Sequence, residues 1–397
     1  MINKNSDDYK RHNLVIMSWH NYDVRIETLF GVPELISNGI SVEYWDVSAL
    51  TIPGYHVNPR ECPPGLVTKF IENKDHFLGE IKGHNNTVYI VFMTLCYQSL
   101  LCYHLLSKEK CMVVYCINGC LPSIKTDKNG IKQVAGRLKL LGSIRKIKSY
   151  LRGRVVRLLV MSDYIAPVDY ILSTCSVANP NGNCKYDKNT RFVHFNSGDY
   201  QSYLNENKRT DRIIKNDYIV FIDQNVPFHP DNKLIHANYD PSTYFEDMNR
   251  IFKNIEEKTG LKVVIAAHPS CSAKYIENDY FQGRQVFTGI TSSLVHFSKG
   301  VISHDSTAIS FPVSFMKPII FVVTDMMRAS NENSFLYCMR MSSLLNSPFI
   351  GFDNNFSIPE KWIVDEECYS RYKYLYLTNP DVANKDNWQI IYETFFK

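Results

Sequence analysis

The second half of the chain alternates short apolar runs with helix-length segments, and this order limits the fold more than any other feature of the sequence. Runs bounded by polar residues and separated by helices predict βα units, which place parallel strands in one sheet. The pattern is therefore typical of a Rossmann-like domain. Its runs are DYIVFID (217–223), LKVVIAAHP (261–269), GRQVFTG (283–289), VISHD (301–305) and KPIIFVVTD (317–325).

The first half carries a similar alternation, with apolar runs at 13–19, 41–47, 87–93, 111–117 and 168–175. A chain of 397 residues exceeds what one hydrophobic core usually organises, so we expect two domains. The fold class predicted is α/β with two Rossmann-like domains. We place the first domain at 1–210, the second at 211–380, and a C-terminal helix at 381–397 that packs back on the first. The polar segment 205–217 is the predicted linker.

One helix of the second half has clear start and stop signals. Residues 241–260 read PSTYFEDMNRIFKNIEEKTG, with Ser242 as the candidate N-cap and Gly260 just past the end. Its apolar residues recur every three or four positions, which predicts one buried face. That stripe consists of Tyr244, Met248, Ile251 and Ile255.

Composition excludes several classes of protein. A net charge of +4 is too small to indicate nucleic acid by itself, and none is expected as a partner. The 11 cysteines form no CxxC pair, which suits buried thiols in a reducing compartment rather than zinc or disulfides.

Residues 87–106 are uncharged and long enough to span a bilayer, but we interpret them as a buried strand and a helix. The N-terminus has no signal-peptide core. These features predict a cytoplasmic protein.

A basic segment stands out at 131–160, which holds nine Lys and Arg residues and no acidic residue. Cations mixed with Leu, Ile and Val are typical of a helix that lies on an anionic membrane surface. On this pattern we expect contact with the inner face of the cytoplasmic membrane. A solvated basic helix, a groove for an anionic acceptor and a nucleic-acid site are the alternatives.

Polar residues follow each predicted strand of the second half. In an open parallel sheet, ligands bind beyond the carboxyl ends of the strands, so these residues are candidate ligand contacts if the strands are neighbours. A polar strand end is otherwise simply the start of a loop or a helix cap. The candidates are Asp223, Gln224 and Asn225; His268, Pro269 and Ser270; Thr288 and Gly289; His304, Asp305, Ser306 and Thr307; and Thr324 with Asp325.

Two of these groups suit phosphate chemistry. Ser306 or Thr307 can cap the helix that follows, whose free N–H groups can receive a phosphate oxygen, although Pro312 fits only a first turn. His268 precedes a proline, which holds it in extended geometry within the loop. An imidazole at that position can donate a hydrogen bond to a phosphate oxygen and assist a leaving nucleotide.

These motifs carry a resemblance. VVIAAHPS, followed by ISHDSTAISFPVSFMKPIIFV, resembles the nucleotide-binding half of bacterial GT-B glycosyltransferases that build surface polysaccharides. Within that group it is similar to enzymes with an HP motif and a Ser-Ser/Thr motif, as in bacterial sialyltransferases, polysialyltransferases and Kdo transferases. Teichoic-acid glycerophosphotransferases are a more distant likeness. The resemblance covers about residues 215–325.

The resemblance implies a GT-B fold, in which two Rossmann-like domains face each other across a cleft. The second domain holds the nucleotide-activated donor and the first holds a lipid-linked or glycan acceptor. It assigns donor-phosphate contacts to His268, Ser306 and Thr307. A CMP-activated nonulosonate or Kdo-type sugar is the favoured donor, with UDP-sugars open. The product is a growing surface glycan such as O-antigen, capsule or lipooligosaccharide.

Many of the sialic-acid-type enzymes use an acidic D/E-D/E-G motif as the catalytic base. This sequence lacks the motif, so candidates for the base come mainly from the first domain. His20 is the first candidate and Asp23 the second, and Glu27, Asp46 and the segment 118–123 also follow predicted strands. No Asp-x-Asp triplet occurs, which argues against a metal held in the GT-A manner. P-loop and GxGxxG motifs are missing as well. We thus predict a site without metal or cofactor.

Three other functions share parts of this pattern. A CDP-polyol phosphotransferase keeps the fold and changes the group transferred. An isomerase resembling UDP-GlcNAc 2-epimerase shares the architecture but needs acidic residues in both halves. A catalytically inactive GT-B partner protein is the non-enzymatic alternative. Donor nucleotide, linkage, stereochemical outcome and oligomeric state are not set by the sequence.

Overall fold

The computed structural model describes residues 12–52, 62–83, 86–117, 119, 121–122, 144–174, 182–232, 237–271, 275, 277–351, 358–359 and 362–397. Within these ranges the chain forms two compact units, with boundaries in sequence at 198/199 and 377/378, and the described residues Leu121 and Pro122 are grouped with the second unit. We predicted boundaries at 210/211 and 380/381. Hydrogen bonds from Ser293 to Glu206 and from Ser310 to Asp199 hold residues ahead of the predicted boundary in the second unit.

The described part of the first unit contains a seven-stranded parallel sheet of order β3-β2-β1-β4-β5-β6-β7. Helices cover both faces, so its central strands are apolar throughout. The elements are β1 Asn13–Ser18, α1 Val24–Phe30, α2 Val32–Ser37, β2 Ser41–Asp46, α3 Ser48–Thr51, β3 Val67–Phe70, α4 Lys74–Gly83, β4 Thr87–Val91, α5 Leu100–Lys108, β5 Met112–Ile117, α6 Ile144–Met161, β6 Tyr170–Ser173 and β7 Arg191–His194.

The described part of the second unit contains a six-stranded parallel sheet of order β10-β9-β8-β11-β12-β13. The helix α7 (Gly198–Glu206) leads into it. The remaining elements are β8 Tyr218–Ile222, a 3-10 turn Val226–Phe228, α8 Pro241–Thr259, β9 Lys262–Ala267, β10 Val286–Thr288, α9 Thr291–Phe297, β11 Gly300–Ser303, a 3-10 turn Thr307–Ile309, α10 Ser310–Ser314, β12 Ile319–Val323, α11 Asp325–Ser330, α12 Glu332–Leu345, β13 Phe349–Gly351 and α13 Glu366–Tyr376.

The predicted stripe of α8 is confirmed, because Tyr244, Met248, Ile251 and Ile255 are all fully buried against the second sheet. The predicted cap is wrong by two residues. The Asp240 side chain accepts the Thr243 N–H at 2.8 Å, with Pro241 as the first helical residue. An aspartate followed by proline fixes the start of a helix better than a serine inside its first turn.

The last helix of the chain, α14 (Asn387–Phe395), belongs to the first unit. Ile390, Ile391 and Phe395 join the core beneath α1 and α2, and Asn387 Nδ2 donates to the Leu29 carbonyl at 2.8 Å. Gly31, at φ +62°, allows this approach, since a Cβ there would lie 2.7 Å from Trp388 Cβ. The C-terminal segment therefore completes the core of the first unit.

The two-domain Rossmann-like fold class is confirmed, and two such α/β domains fit the GT-B fold. The uncharged segment 87–106 forms β4 and leads into α5, as interpreted. Among the helices in the described ranges, none combines the length and apolar composition required to cross a bilayer. Residues 131–143 of the basic segment, and Asn118, Cys120 and Ser123, lie outside the described residues.

Candidate functional site

The candidate site lies at the carboxyl edge of the second sheet. Strands β8 and β11 are neighbours, and the chain continues from them to opposite sides, through β9 and β10 on one side and β12 and β13 on the other. Such a switch in strand order opens a crevice at the carboxyl ends, where ligands of α/β proteins bind. The predicted contacts after β8, β9, β10 and β11 all lie along this edge.

At the end of β9, the His268 ring is fixed by its neighbours. Its Nδ1 accepts the Ser270 backbone N–H at 3.1 Å and lies 2.8 Å from Ser270 Oγ. Asn225 Nδ2, at the end of β8, donates to that oxygen at 3.3 Å. Because Ser270 Oγ accepts from Asn225, its own proton points to Nδ1. The neutral imidazole therefore carries its proton on Nε2.

The surroundings of His268 favour this neutral form. Partial burial lowers the pKa of His268, and the neighbouring His229, whose ring centroid is 5.1 Å away, lowers it further. At neutral pH the ring is thus an uncharged donor through Nε2. A hydrogen bond from a fixed N–H to an ionised phosphate is stronger than one between neutral groups.

Buried polar atoms without partners surround the same switch point. Within the described residues, Gln224 Oε1, Asn225 Oδ1 and Ser303 Oγ are buried and make no hydrogen bond. Asn225 and Ser303 are at least 97% buried, and they lie at the ends of the adjacent strands β8 and β11. An unpartnered buried polar atom costs about 1–3 kcal/mol, so these atoms suit a polar ligand that pairs with them.

The buried carboxyl of Asp223 hydrogen-bonds residues that form this edge. It is 2% exposed, its Oδ2 accepts the Tyr275 hydroxyl at 3.0 Å, and its Oδ1 accepts the Asn225 N–H at 3.0 Å. Burial raises the pKa of Asp223, although these hydrogen bonds oppose the shift. The carboxyl is therefore engaged within the protein, and the predicted contact of Asp223 with a nucleotide stays a prediction. Its carboxyl holds Asn225 in the left-handed conformation, φ 53°.

The His304 side chain is also engaged within the protein. The ring is fully buried, Nδ1 donates to the Val322 carbonyl at 2.6 Å, and Nε2 accepts the Tyr244 hydroxyl at 3.0 Å. Both nitrogens are therefore engaged in the core. Burial lowers the pKa of His304 in spite of the Val322 carbonyl and the Asp305 carboxylate. His304 therefore links α8, β11 and β12, and its predicted contact with a phosphate stays a prediction.

The hydroxyls after β11 separate into two roles. Ser306 is 7% exposed, and its Oγ accepts the Ala308 N–H at 3.2 Å, so it caps the 3-10 turn. Thr307 is exposed at the same turn. The structure also accounts for Pro312, which lies in the first turn of α10, where its missing N–H needs no partner.

The other predicted contacts lie farther along the edge. Pro269 begins the turn that brings Ser270 back to His268. Thr288 and Gly289 are exposed at the end of β10, the edge strand, with β9 between them and β8. Thr324 caps α11 through its Oγ1, which accepts the Met327 N–H at 3.2 Å. Of the predicted set, Gln224 and Asn225 follow β8, and Ser306 and Thr307 follow β11, the two strands at the switch point. His268 and Ser270 follow the adjacent strand β9.

In the first unit, the strand order reverses between β1 and β4. His20 lies just past the end of β1. Its side chain is exposed, while its backbone N–H donates to Ser18 Oγ and its carbonyl accepts the Tyr44 hydroxyl at 2.5 Å. The backbone is therefore fixed and the imidazole is accessible at a ligand-binding edge.

The Asp23 carboxylate is held by hydrogen bonds at the start of α1. Its Oδ1 caps α1 through the Arg25 and Ile26 N–H groups, and its Oδ2 pairs with the Arg25 guanidinium. Partial burial alone would raise the pKa of Asp23, but the hydrogen bonds from Arg25 and Ile26 outweigh it and lower the pKa. A carboxylate so bound accepts a proton poorly, so His20 stays the first candidate for the base and Asp23 the second.

Some residues of the site carried no recognisable signal in the sequence. Tyr275 bonds Asp223 and Tyr244 bonds His304, yet the sequence indicated Tyr244 only as part of a buried helical stripe and gave no signal for Tyr275. Asn225 was visible as a strand end, and its partner Ser270 follows the HP motif. Only the fold brings the two within hydrogen-bond distance.

No family model and no curated protein matches the chain. Solved structures do. A UDP-GlcNAc 2-epimerase from Methanocaldococcus jannaschii is 12% identical, with 97% of this chain and 100% of that chain covered and a TM-score of 0.47. A calicheamicin glycosyltransferase is 10% identical, with coverages of 97% and 95% and a TM-score of 0.43. A variant of the wall teichoic acid polymerase TagF is 10% identical, with coverages of 97% and 84% and a TM-score of 0.43.

Proposed function

We propose that this chain is a GT-B glycosyltransferase that moves a sugar from a nucleotide-activated donor to a growing surface glycan. One observation carries the proposal. The second unit places a fixed N–H donor, His268 Nε2, and several unpartnered buried polar atoms at one switch point. Phosphate oxygens need donors, while ribose hydroxyls and base amino groups need acceptors such as Asn225 Oδ1. A nucleotide offers both.

His268 acts on the leaving nucleotide in this proposal. As the bond between sugar and phosphate breaks, negative charge grows on the phosphate oxygen. A fixed donor aimed at that oxygen stabilises the transition state more than the bound donor. The Thr307 hydroxyl, exposed at the neighbouring turn, is the second donor that we assign to the phosphate. No metal is needed for this role, and metal independence remains a prediction.

The acceptor hydroxyl loses a proton during transfer, and we assign its removal to His20. The imidazole is exposed at the switch point of the first unit, and no described side chain hydrogen-bonds to it. A general base contributes about 10²- to 10⁴-fold to the rate, so His20→Ala should lower kcat within that range. Full activity of this variant would remove His20 from the mechanism.

The favoured donor carries CMP and a nonulosonate or Kdo-type sugar, on the strength of the HP and Ser-Thr motifs. Thermal unfolding with CMP, CDP, UDP and GDP tests the proposal. Stabilisation by CMP alone supports this donor. Stabilisation by CDP supports the polyol phosphotransferase, and stabilisation by UDP supports an ordinary transferase or an epimerase. A response to none of the four contradicts the proposed function and favours a catalytically inactive partner.

We further propose that the chain works on an anionic membrane surface through α6. This helix presents a solvent-facing apolar stripe in which Leu151, Leu158 and Met161 are 55%, 64% and 79% exposed. The exposed Arg154 lies between Leu151 and Leu158 on the same outward side of the helix. Apolar surface beside a cation matches an interfacial helix, since acyl chains contact the stripe and an anionic headgroup pairs with the cation.

Sedimentation with vesicles tests this surface. Wild-type protein should bind vesicles of phosphatidylcholine and phosphatidylglycerol and bind pure phosphatidylcholine weakly. The double change Leu151→Ser, Leu158→Ser should weaken binding about tenfold or more. Phe192→Ser is a matched control, because Phe192 is also 55% exposed but lies on the edge strand β7. Equal losses in both variants would contradict a role specific to α6.

A further inference from the structure

A cavity of about 830 Å³ lies in the first unit, apart from the His268 site. One wall is the loop after β4, which includes Leu95, Tyr97 and Gln98, and the opposite wall is the inward face of α6, which includes Val156 and Val160. The Leu95 N–H donates to the Asn183 carbonyl at 2.6 Å and closes one end. The cavity therefore opens beside the carboxyl end of a central strand, where α/β proteins bind ligands.

Three cations line this cavity, namely Lys148, Arg152 and Arg157. No Asp or Glu is among its described lining residues, and none of the three cations forms an ion pair with a carboxylate in the described ranges. The Arg152 guanidinium lies 4.9 Å from the centre of the Tyr97 ring, which holds it at the cavity wall. Like charges gathered around one cavity favour binding of an anion.

The chemistry of these cations indicates which kind of anion the cavity binds. Two guanidinium groups present planar pairs of donors, which match the oxygens of a phosphate. The rest of the lining mixes apolar Leu95, Val156 and Val160 with the amide of Gln98, so the ligand carries more than the anion alone. The volume is within the usual range of about 300–1,000 Å³ for small-molecule sites.

We infer that this cavity binds the phosphate of a phosphorylated glycan acceptor. The inference deepens the proposed function and rests on it, because it names the class of acceptor that the transferase takes. The cavity adjoins β4, which pairs with β1, and His20 follows the end of β1. Phosphate capture here therefore holds an acceptor at the same sheet edge as the assigned base.

Calorimetric titration tests the site, with glucose 1-phosphate as the probe and glucose as the uncharged comparison. The double change Arg152→Ala, Arg157→Ala should weaken binding of glucose 1-phosphate roughly tenfold or more, since each removes charge-assisted hydrogen bonds. Arg154→Ala is the matched control. Arg154 is on the same helix, but it faces outward and bonds the Tyr150 hydroxyl at 3.2 Å. This control should bind glucose 1-phosphate as wild type does.

Four outcomes decide the matter. Selective loss in the double variant supports the cavity. Equal loss in the Arg154 variant, or equal affinity for glucose and glucose 1-phosphate, overturns it. Binding of phosphatidylglycerol vesicles without binding of the sugar phosphate assigns the cations to a lipid headgroup and overturns it too. If the double variant unfolds, the single change Arg157→Ala replaces it and should weaken binding severalfold.

The two proposals fail separately. The nucleotide-dependent thermal shift should persist in the double variant, because the cavity is in the first unit and His268 is in the second. Loss of sugar-phosphate binding with an intact nucleotide shift supports the cavity. Absence of the nucleotide shift in wild-type protein contradicts the proposed function, whether or not the sugar phosphate binds.

Discussion

The carboxyl edges of the two sheets differ in how their polar groups are used. In the second unit, residues that follow β8 and β9 form a fixed set, in which Ser270 is hydrogen-bonded to both His268 and Asn225. In the first unit, Asp23 serves as a helix cap and His20 is exposed. The cations that line the cavity come from α6, a helix that packs beside the sheet. A site whose side chains are held by hydrogen bonds suits a ligand of constant structure. A site whose side chains are exposed suits a ligand of varied structure or one that is bound to a membrane.

The largest expected effect comes from the fixed site. His268→Ala removes the donor to the leaving phosphate and should lower kcat by about 10²-fold or more in a sugar-transfer assay. His194→Ala is the control, because His194 is an exposed histidine on the edge strand β7. Unchanged turnover in the His268 variant would exclude the role assigned to it.

The second prediction concerns stability against pH. Burial lowers the pKa of His304 in the folded state, so the unfolded chain, with a usual pKa of about 6.5, takes up the proton first. The contribution of His304 to the free energy of unfolding should thus have its full value well above a pH of about 6.5. Below that pH it should decline, by at most about 1.4 kcal/mol per pH unit. Urea denaturation at pH 7.5 and 5.5 measures this decline.

His304→Gln separates this histidine from the others. The amide can still accept the Tyr244 hydroxyl but does not titrate. The variant should be less stable at both values of pH, yet lose less on acidification than the wild type. An identical pH dependence in the two proteins would mean that other groups dominate and that His304 is not the titrating element.

Ser270→Ala should have a smaller effect. Ser270 is a positioning residue, since its Oγ links Asn225 to His268 and touches no reacting atom in our proposal. Losing a neutral hydrogen bond costs about 1 kcal/mol, so kcat should fall about fivefold with KM nearly unchanged. Ser270→Thr should restore most of the rate. A rise in KM alone would indicate ordinary ligand contact instead.

The smallest effect is expected at Asp23. Asn is as good an N-cap as Asp, so Asp23→Asn should change stability by less than about 0.5 kcal/mol and leave kcat within about twofold. The measurement is kcat beside a melting curve. A loss of 10²-fold without unfolding would instead indicate that Asp23 is the base.

The sequence predicted the buried strands well but only one of the four edge strands, β10. Strands β1, β4, β8 and β12 are continuous apolar runs because helices cover both faces of each sheet. The missed strands β3, β7 and β13 lie at sheet edges, and three of the four residues in each of β3 and β7 are exposed. An exposed edge strand needs no apolar run, so periodicity does not reveal it.

The candidate site shows the same limit. Strand ends placed His268, His304 and Ser306 on one edge, because parallel strands end together. Which of them faces a ligand depends on neighbours distant in sequence. His304 is enclosed by Tyr244, 60 residues away, and His268 is oriented by Asn225 on another strand. Hydrogen-bond partners of this kind become visible only in the fold.

Hydrogen–deuterium exchange on the full chain tests the central claim most directly, with and without the nucleotide that gives the largest thermal shift. Our account predicts slower exchange in the segments 223–226, 268–271 and 303–308, which lie around the switch point of the second sheet. Segments 95–98 and 148–160 should remain unchanged until a sugar phosphate is added. Protection confined to the first unit would contradict the assignment of the donor nucleotide to the second.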